Sequence, residues 1–151
     1  MRTGDLAPDF TLADQDGKWR ELSASLTDGP VVLFFFPAAM TAGCTKESCH
    51  FRDLQADFGA LGAQRIGISM DTVARLAQFA TQNRFDYPML SDPDGHVAQL
   101  FAVKRTFDFL KVKRTTFVID QDRSIVEIVN SELNMNAHAD RALAALRSLR
   151  R

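Results

Sequence analysis

Val31-Val32-Leu33-Phe34-Phe35-Phe36 is apolar at every position, in a chain whose apolar and polar residues otherwise interleave. The run is too short for a helix and does not alternate, which predicts a strand covered on both faces. Pro37 ends it. From about Ala42 to Leu61 the period changes. Phe51, Leu54, Phe58 and Leu61 recur at spacings of three and four, one stripe of an amphipathic helix, with Gly62 placed as its C-cap. Arg65 to Met70 predicts a second strand. Asp71 or Thr72 caps a helix carrying Val73, Leu76, Ala77 and Ala80 on one face. Met89-Leu90-Ser91 predicts a short extended piece, Asp92-Pro93-Asp94-Gly95 a turn, and His96 to Phe101 a short helix. Thr115 to Asp120 and Ser124 to Val129 predict a strand pair, although Gln121-Asp122-Arg123 joins them without a glycine. Ala137 to Leu149 predicts a last helix with Leu143, Leu146 and Leu149 facing inward.

Ahead of the apolar run, Phe10 to Leu12 and Trp19 to Leu22 flank Asp14-Gln15-Asp16-Gly17, which reads as a hairpin. Thr27-Asp28-Gly29-Pro30 is a turn. Lys104 to Lys113 is the least regular stretch, basic and aromatic through Phe107 and Phe109. The alternation of strands and helices places the chain in the α/β class. Its parallel start, closed by an antiparallel pair, resembles the thioredoxin arrangement.

Composition narrows the function. With 151 residues and 46% apolar content the chain is long enough to bury a core without staples. A net charge of −1 gives no bulk attraction to nucleic acid or membrane. No run approaches the roughly 20 apolar residues of a membrane span. Met1 to Phe10 has no apolar signal core, so the expected location is cytoplasmic. Two cysteines are too few for a secreted disulfide framework.

Both cysteines lie between the apolar strand and the helical stripe. Cys44 falls in the first turn of its helix, where unpaired N–H groups and the helix dipole favour a thiolate. That is a general route to a reactive cysteine, and an inert buried cysteine is the other reading of the same position. Cys49 points about 140° away from Cys44, at 3.6 residues per turn. It therefore lies off the Phe51-Leu54-Phe58-Leu61 stripe, near Lys46 and Asp53. In an intact helix the two Cα atoms are about 8–9 Å apart. A disulfide wants about 4.4–6.8 Å, so the pair can bond only if this turn unwinds.

Pro37-x-x-x-Thr41-x-x-Cys44 resembles the peroxiredoxin signature, and Met40 to Cys49 resembles its bacterioferritin-comigratory, or Q-type, subfamily. The similarity extends through Gly4-Asp5-x-Ala7-Pro8-Asp9-Phe10, Leu90 to Gly95, Arg114 to Asp120, and the helix after His138-Ala139-Asp140. It implies a thioredoxin-like fold, a central mixed sheet flanked by helices with an N-terminal hairpin, in a single domain over residues 1–151. It implies a thiol-dependent peroxidase that reduces hydrogen peroxide and organic hydroperoxides. Cys44 would attack the O–O bond, Thr41 would hydrogen-bond the peroxide and thiolate, Arg114 would stabilise the developing charge, and Pro37 would shield the thiolate. Cys49 would resolve the sulfenic acid as an intramolecular disulfide with Cys44, which a thioredoxin-like donor reduces. Glu47 would orient Arg114 or the active loop. The resemblance implies no cofactor, no metal and a monomer.

Three positions depart from the family pattern: Ala42 where proline is usual, His50 after the second cysteine, and Arg123 where glycine is favoured. Other classes fit less well. A cysteine hydrolase needs a histidine base, and His50, His96 and His138 have no motif around them. The cysteine spacing and scattered histidines do not form a zinc set. A non-catalytic thioredoxin-fold module for binding or redox sensing is the rival class, with Lys104 to Arg114 as its docking surface.

Overall fold

The computed structural model describes residues 1–105 and 111–149. The expectation for Phe107 and Phe109 lies outside them. Among the described residues, seven strands form one sheet in the order β2-β1-β5-β4-β3-β6-β7. They are β1 (Thr11–Ala13), β2 (Trp19–Glu21), β3 (Val31–Phe35), β4 (Gln64–Ser69), β5 (Met89–Ser91), β6 (Thr115–Ile119) and β7 (Ile125–Asn130). Strands β3, β4 and β5 run parallel. β6 pairs antiparallel with β3, and β7 antiparallel with β6. Six helices among the described residues connect and cover them: α1 (Leu22–Leu26), α2 (Ala42–Asp53), α3 (Gln55–Ala60), α4 (Val73–Asn83), α5 (His96–Leu100) and α6 (Met135–Leu149). This is the mixed-sheet, thioredoxin-like architecture with an N-terminal strand pair. Among the described residues no helix is long and apolar enough to cross a membrane.

β3 shows why its sequence does not alternate. Val31, Leu33 and Phe35 enter one core, with Ile68, Leu90, Phe101 and Phe117. Val32 and Phe34 enter the other, joined by Phe36 just past the strand, with Phe51, Phe58, Leu76, Phe79 and Leu146. Phe34 stacks on Phe51 with ring centroids 4.2 Å apart, which binds α2 to the sheet. Burial of each such side chain stabilises the fold by roughly 1.5–3 kcal/mol.

Three helix expectations need correction. The stripe from Ala42 to Leu61 is two helices, broken at Leu54 (φ −95°, ψ 21°). Arg65 Nη1 donates to the carbonyl of Phe51 at 2.9 Å, the acceptor that Gln55 would use in an unbroken helix. At the C-terminus, α6 begins at Met135 rather than Ala137, with Asn134 Oδ1 accepting the Ala137 N–H. Leu149 is 42% exposed rather than inward. Steps of three drift about 60° per step around a helix, so Leu149 has left the face that Leu143 and Leu146 occupy. The short α1 lies between the expected hairpin, which ends at Leu22, and the turn at Thr27, where no element is expected. Its two buried leucines, Leu22 and Leu26, are too few to register as a helical period.

Arg123 occupies the left-handed region (φ 70°) in the turn between β6 and β7, the conformation for which the family favours glycine. Its Nε donates to the carbonyl of Ala7 at 3.0 Å, tying the N-terminal segment to the turn. Gly29 is more demanding. At φ 154°, a Cβ there would lie 2.1 Å from the carbonyl oxygen of Gly62. Gly29→Ala is expected to cost about 2–3 kcal/mol, the range of overpacked sites, read as a lowered urea midpoint with unchanged slope.

Candidate active site

The loop from Phe36 to Thr41 delivers α2 to the end of the central strand. Pro37 and Ala39 are buried in it. Asp71 anchors it: Oδ2 accepts the Ala39 N–H at 2.7 Å and the Ser69 hydroxyl at 2.7 Å. Met40 is held at φ 63°, an uncommon conformation for a residue with a side chain, next to Thr41. Thr41 is exposed and stands at the N-cap position of α2, but its hydroxyl donates to the carbonyl of Ala38 at 2.8 Å rather than capping the helix. The capping role of Asp71 or Thr72 falls to Thr72, which accepts the Arg75 N–H.

Cys44 sits in the first turn of α2, fully buried. Arg114 reaches it from the approach to β6, with Nη2 3.2 Å from Sγ. The same guanidinium donates from Nη1 to Glu47 Oε1 at 2.9 Å. Arg114 is therefore not a surface residue of a basic run; it is 6% exposed. Gly43 leaves room for the approach, since a Cβ there would press on Arg114 Nη2 at 3.3 Å and touch Met135 Cε at 3.4 Å. Glu132 fixes the backbone of Arg114 by accepting its N–H at 3.0 Å, and also accepts from Arg105 Nη2 at 2.9 Å.

Glu47 is fully buried, one helical turn beyond Cys44. Burial pushes its carboxyl up to about 8, against the opposing pull of Arg114. The folded protein thus holds this proton more tightly than the unfolded chain. The associated stability is complete below pH 4.5 and declines as pH rises toward about 8. Behind Glu47 lies His138 of α6, also fully buried, with Nδ1 3.4 Å from Glu47 Oε2.

Cys49 is half-buried on a different side of α2. Its Sγ lies 3.6 Å from Asn83 Oδ1, at the end of α4. Burial pushes the Cys49 thiol up. Both cysteines are free thiols, and α2 is helical from Ala42 through Asp53, so both lie in unbroken helix. His50, one of the departures from the family pattern, pairs with Asp140 Oδ1 at 2.8 Å and links α2 to α6. Ala42 is the first residue of α2 and exposed.

The structure thus gathers Cys44, Glu47 and Arg114 in one contact chain, with Pro37 and Thr41 in the loop beside them and Cys49 on a separate surface. Sequence reasoning did not assign His138, Glu132 or Asp71 to the site. The clue for His138 is its place at the start of an apolar helix face, where a histidine becomes buried and must find hydrogen-bond partners.

A buried cysteine under an arginine fork at a helix start matches a known constellation. Residues 3–128 match the model of the AhpC/TSA family. The chain belongs to this family. A Mycobacterium tuberculosis protein named as a peroxiredoxin is 58% identical over 152 residues, covering 99% of each chain. The chloroplastic peroxiredoxin Q of Gentiana triflora is 37% identical over 148 residues, 96% of this chain and 66% of that one. Among solved structures, the peroxidoxin BcpB from Mycobacterium tuberculosis superposes with a TM-score of 0.96 at 57% identity, over 100% of this chain and 99% of that one. The Xanthomonas campestris bacterioferritin comigratory protein follows the same fold, with a TM-score of 0.85 at 26% identity, over 94% and 92%. Membership of the family makes this chain a thiol peroxidase, and its Q-type relatives bear out the resemblance read from Pro37, Thr41 and Cys44.

Proposed function

We propose that this chain reduces hydrogen peroxide and organic hydroperoxides at Cys44 and recycles through a Cys44–Cys49 disulfide reduced by a thioredoxin-like dithiol. The observation that carries the reading is the 3.2 Å contact between Arg114 Nη2 and Cys44 Sγ, with Nη1 of the same fork held by Glu47. A permanent cation at that distance favours the thiolate and meets the charge that develops on the peroxide oxygens. The Cys44 thiolate attacks one peroxide oxygen. An S–O bond forms, the O–O bond breaks, sulfur loses two electrons, and the leaving oxygen takes a proton to become water or alcohol. Thr41 turns its hydroxyl from Ala38 to the bound peroxide, and Pro37 closes the pocket against water. The alkyl peroxide reduction activity described for the Xanthomonas campestris protein supports organic hydroperoxides as substrates.

Resolution requires α2 to open. Cys49 then attacks the sulfenic sulfur, water leaves, and the disulfide protects Cys44 from over-oxidation. The setting we propose is the cytoplasm, where a dithiol donor is kept reduced. We propose a monomer as the acting species, since Cys44 and Cys49 lie in one helix and need no second chain to form their disulfide.

Mass spectrometry after one equivalent of peroxide tests the reading. Wild type is expected to lose two hydrogens and yield a peptide pair joined through Cys44 and Cys49. Cys49→Ser, treated in the presence of dimedone, is expected to carry the sulfenic-acid adduct on Cys44. An adduct on another residue, or peroxide left unconsumed, overturns it.

A further inference from the structure

The nearest polar side chains behind Glu47 form a small closed network. His138 Nε2 lies 2.8 Å from the carbonyl of Ser131. A carbonyl can only accept, so Nε2 carries the hydrogen and a neutral imidazole presents a lone pair, and no donor, at Nδ1. The Thr116 hydroxyl donates to that Nδ1 at 2.7 Å, and Glu47 Oε2 lies 3.4 Å from it, so Nδ1 has no hydrogen to give either oxygen. Among the described residues no group donates to Glu47 Oε2. A carboxylate there would turn an unpaired, buried, negative oxygen toward a lone pair. A neutral acid would instead keep its carbonyl oxygen Oε1 on Arg114 and turn its O–H toward His138, sharing the Nδ1 lone pair with Thr116.

We propose that His138 is a positioning residue of the peroxidase site, which holds Glu47 as a neutral acid while Cys44 is a thiolate and releases that proton when Cys44 is oxidised. The idea rests on Cys44 being the attacking thiol. Its logic is charge balance around one cation. While the thiolate is present, Arg114 has its anion, and a second anion at Glu47 would divide the guanidinium's pull. When Cys44 becomes a sulfenic acid, the thiolate charge is gone and Arg114 needs a new partner. Glu47 then ionises. Its proton balances the one taken up by the leaving oxygen, so the buried cluster remains neutral before and after the step.

Burial moves both groups toward their uncharged forms: the Glu47 carboxyl is raised, and the His138 imidazole is lowered, first by burial and then also by the charge of Arg114. The other groups that face the pair are Glu132 between β7 and α6, Arg141 on α6, Tyr87 ahead of β5, and Cys44 one turn back on α2. Glu132 and Arg141 act on His138 in opposite directions. Arg114 remains the cation in direct contact with Glu47.

Infrared difference spectroscopy on Cys49→Ser, reduced minus peroxide-oxidised, reads the proton directly. A protonated-carboxyl band is expected in the reduced protein and lost on oxidation. It should be absent when Glu47→Gln is added, which assigns it, and should move to higher wavenumber with His138→Leu as the O–H loses its acceptor. Kinetics give a second readout. In wild type the rate of Cys44 oxidation should fall as Glu47 ionises near pH 8 and claims Arg114. His138→Leu removes the lone pair that favours the neutral acid, so this alkaline fall should begin about one pH unit lower. His138→Gln, which offers an amide oxygen, should return it toward wild type.

A folded His138→Leu protein with the wild-type pH profile would overturn the proposal. So would the lack of a protonated-carboxyl band in reduced Cys49→Ser, a measurement that needs no change at His138. Failure of the underlying reading is separately visible as the lack of a dimedone adduct on Cys44.

Discussion

Cys44→Ser is expected to consume no peroxide above background, a loss of at least about four orders of magnitude in donor-coupled turnover. On the proposed mechanism, the substitution exchanges a polarisable sulfur anion for a neutral hydroxyl at the one atom that must give up two electrons. Arg114 cannot rescue it. A guanidinium 3.2 Å away favours an anion, but a serine hydroxyl is far too weak an acid to supply one at neutral pH. Cys49 cannot substitute either. It lies on another side of α2 beside Asn83, and burial holds its thiol in the protonated form. The fold should survive, because serine is no larger than cysteine and can accept from Arg114. A thermal midpoint within a few degrees of wild type separates lost chemistry from lost structure. Turnover is followed as peroxide loss with thioredoxin, its reductase and NADPH. Activity retained in Cys44→Ser would move the chemistry elsewhere.

The fold was legible because apolar periodicity reports burial. β3 has no alternation since both its faces enter cores, and α4 shows its buried Leu76 and Ala80 at helical spacing. The break at Leu54 was not legible. It depends on Arg65, a residue of a different strand, taking the Phe51 carbonyl, and no local pattern encodes that competition. The turn at Arg123 was half legible: the missing glycine was visible, but not that the Ala7 carbonyl would hold an arginine in the left-handed region.

The candidate site divides the same way. Cys44 and Thr41 stand within a short motif. Arg114 came from resemblance alone, since its local context of Lys111 and Lys113 reads as a solvated basic run. Glu47 reads nearly as well as a solvated helix carboxylate, and its burial comes with the packing of α6 over α2 and with Arg114 against it. His138 is farther still from view, because its meaning depends on partners in α2, β6 and the β7–α6 connection.

That burial sets the second large effect. Arg114→Leu is expected to slow the reaction of Cys44 with peroxide by about three orders of magnitude, and Arg114→Lys by about two. The leucine variant removes both the cation beside the sulfur and the donor aimed at the oxygens where charge grows. Lysine keeps a charge but not the fork. One ammonium cannot hold the arginine's geometry, in which Nη2 touches Cys44 Sγ at 3.2 Å while Nη1 is pinned to Glu47 Oε1 at 2.9 Å. Breaking a buried ion pair usually strands a charge at high cost, but Glu47 already favours its neutral form here. Folding should therefore suffer less than catalysis, and the two are separable. The rate is read from single-turnover oxidation of Cys49→Ser, where resolution does not intrude, with thermal midpoints measured on the same proteins. Wild-type reactivity in Arg114→Leu would show that the 3.2 Å contact has no part in the chemistry.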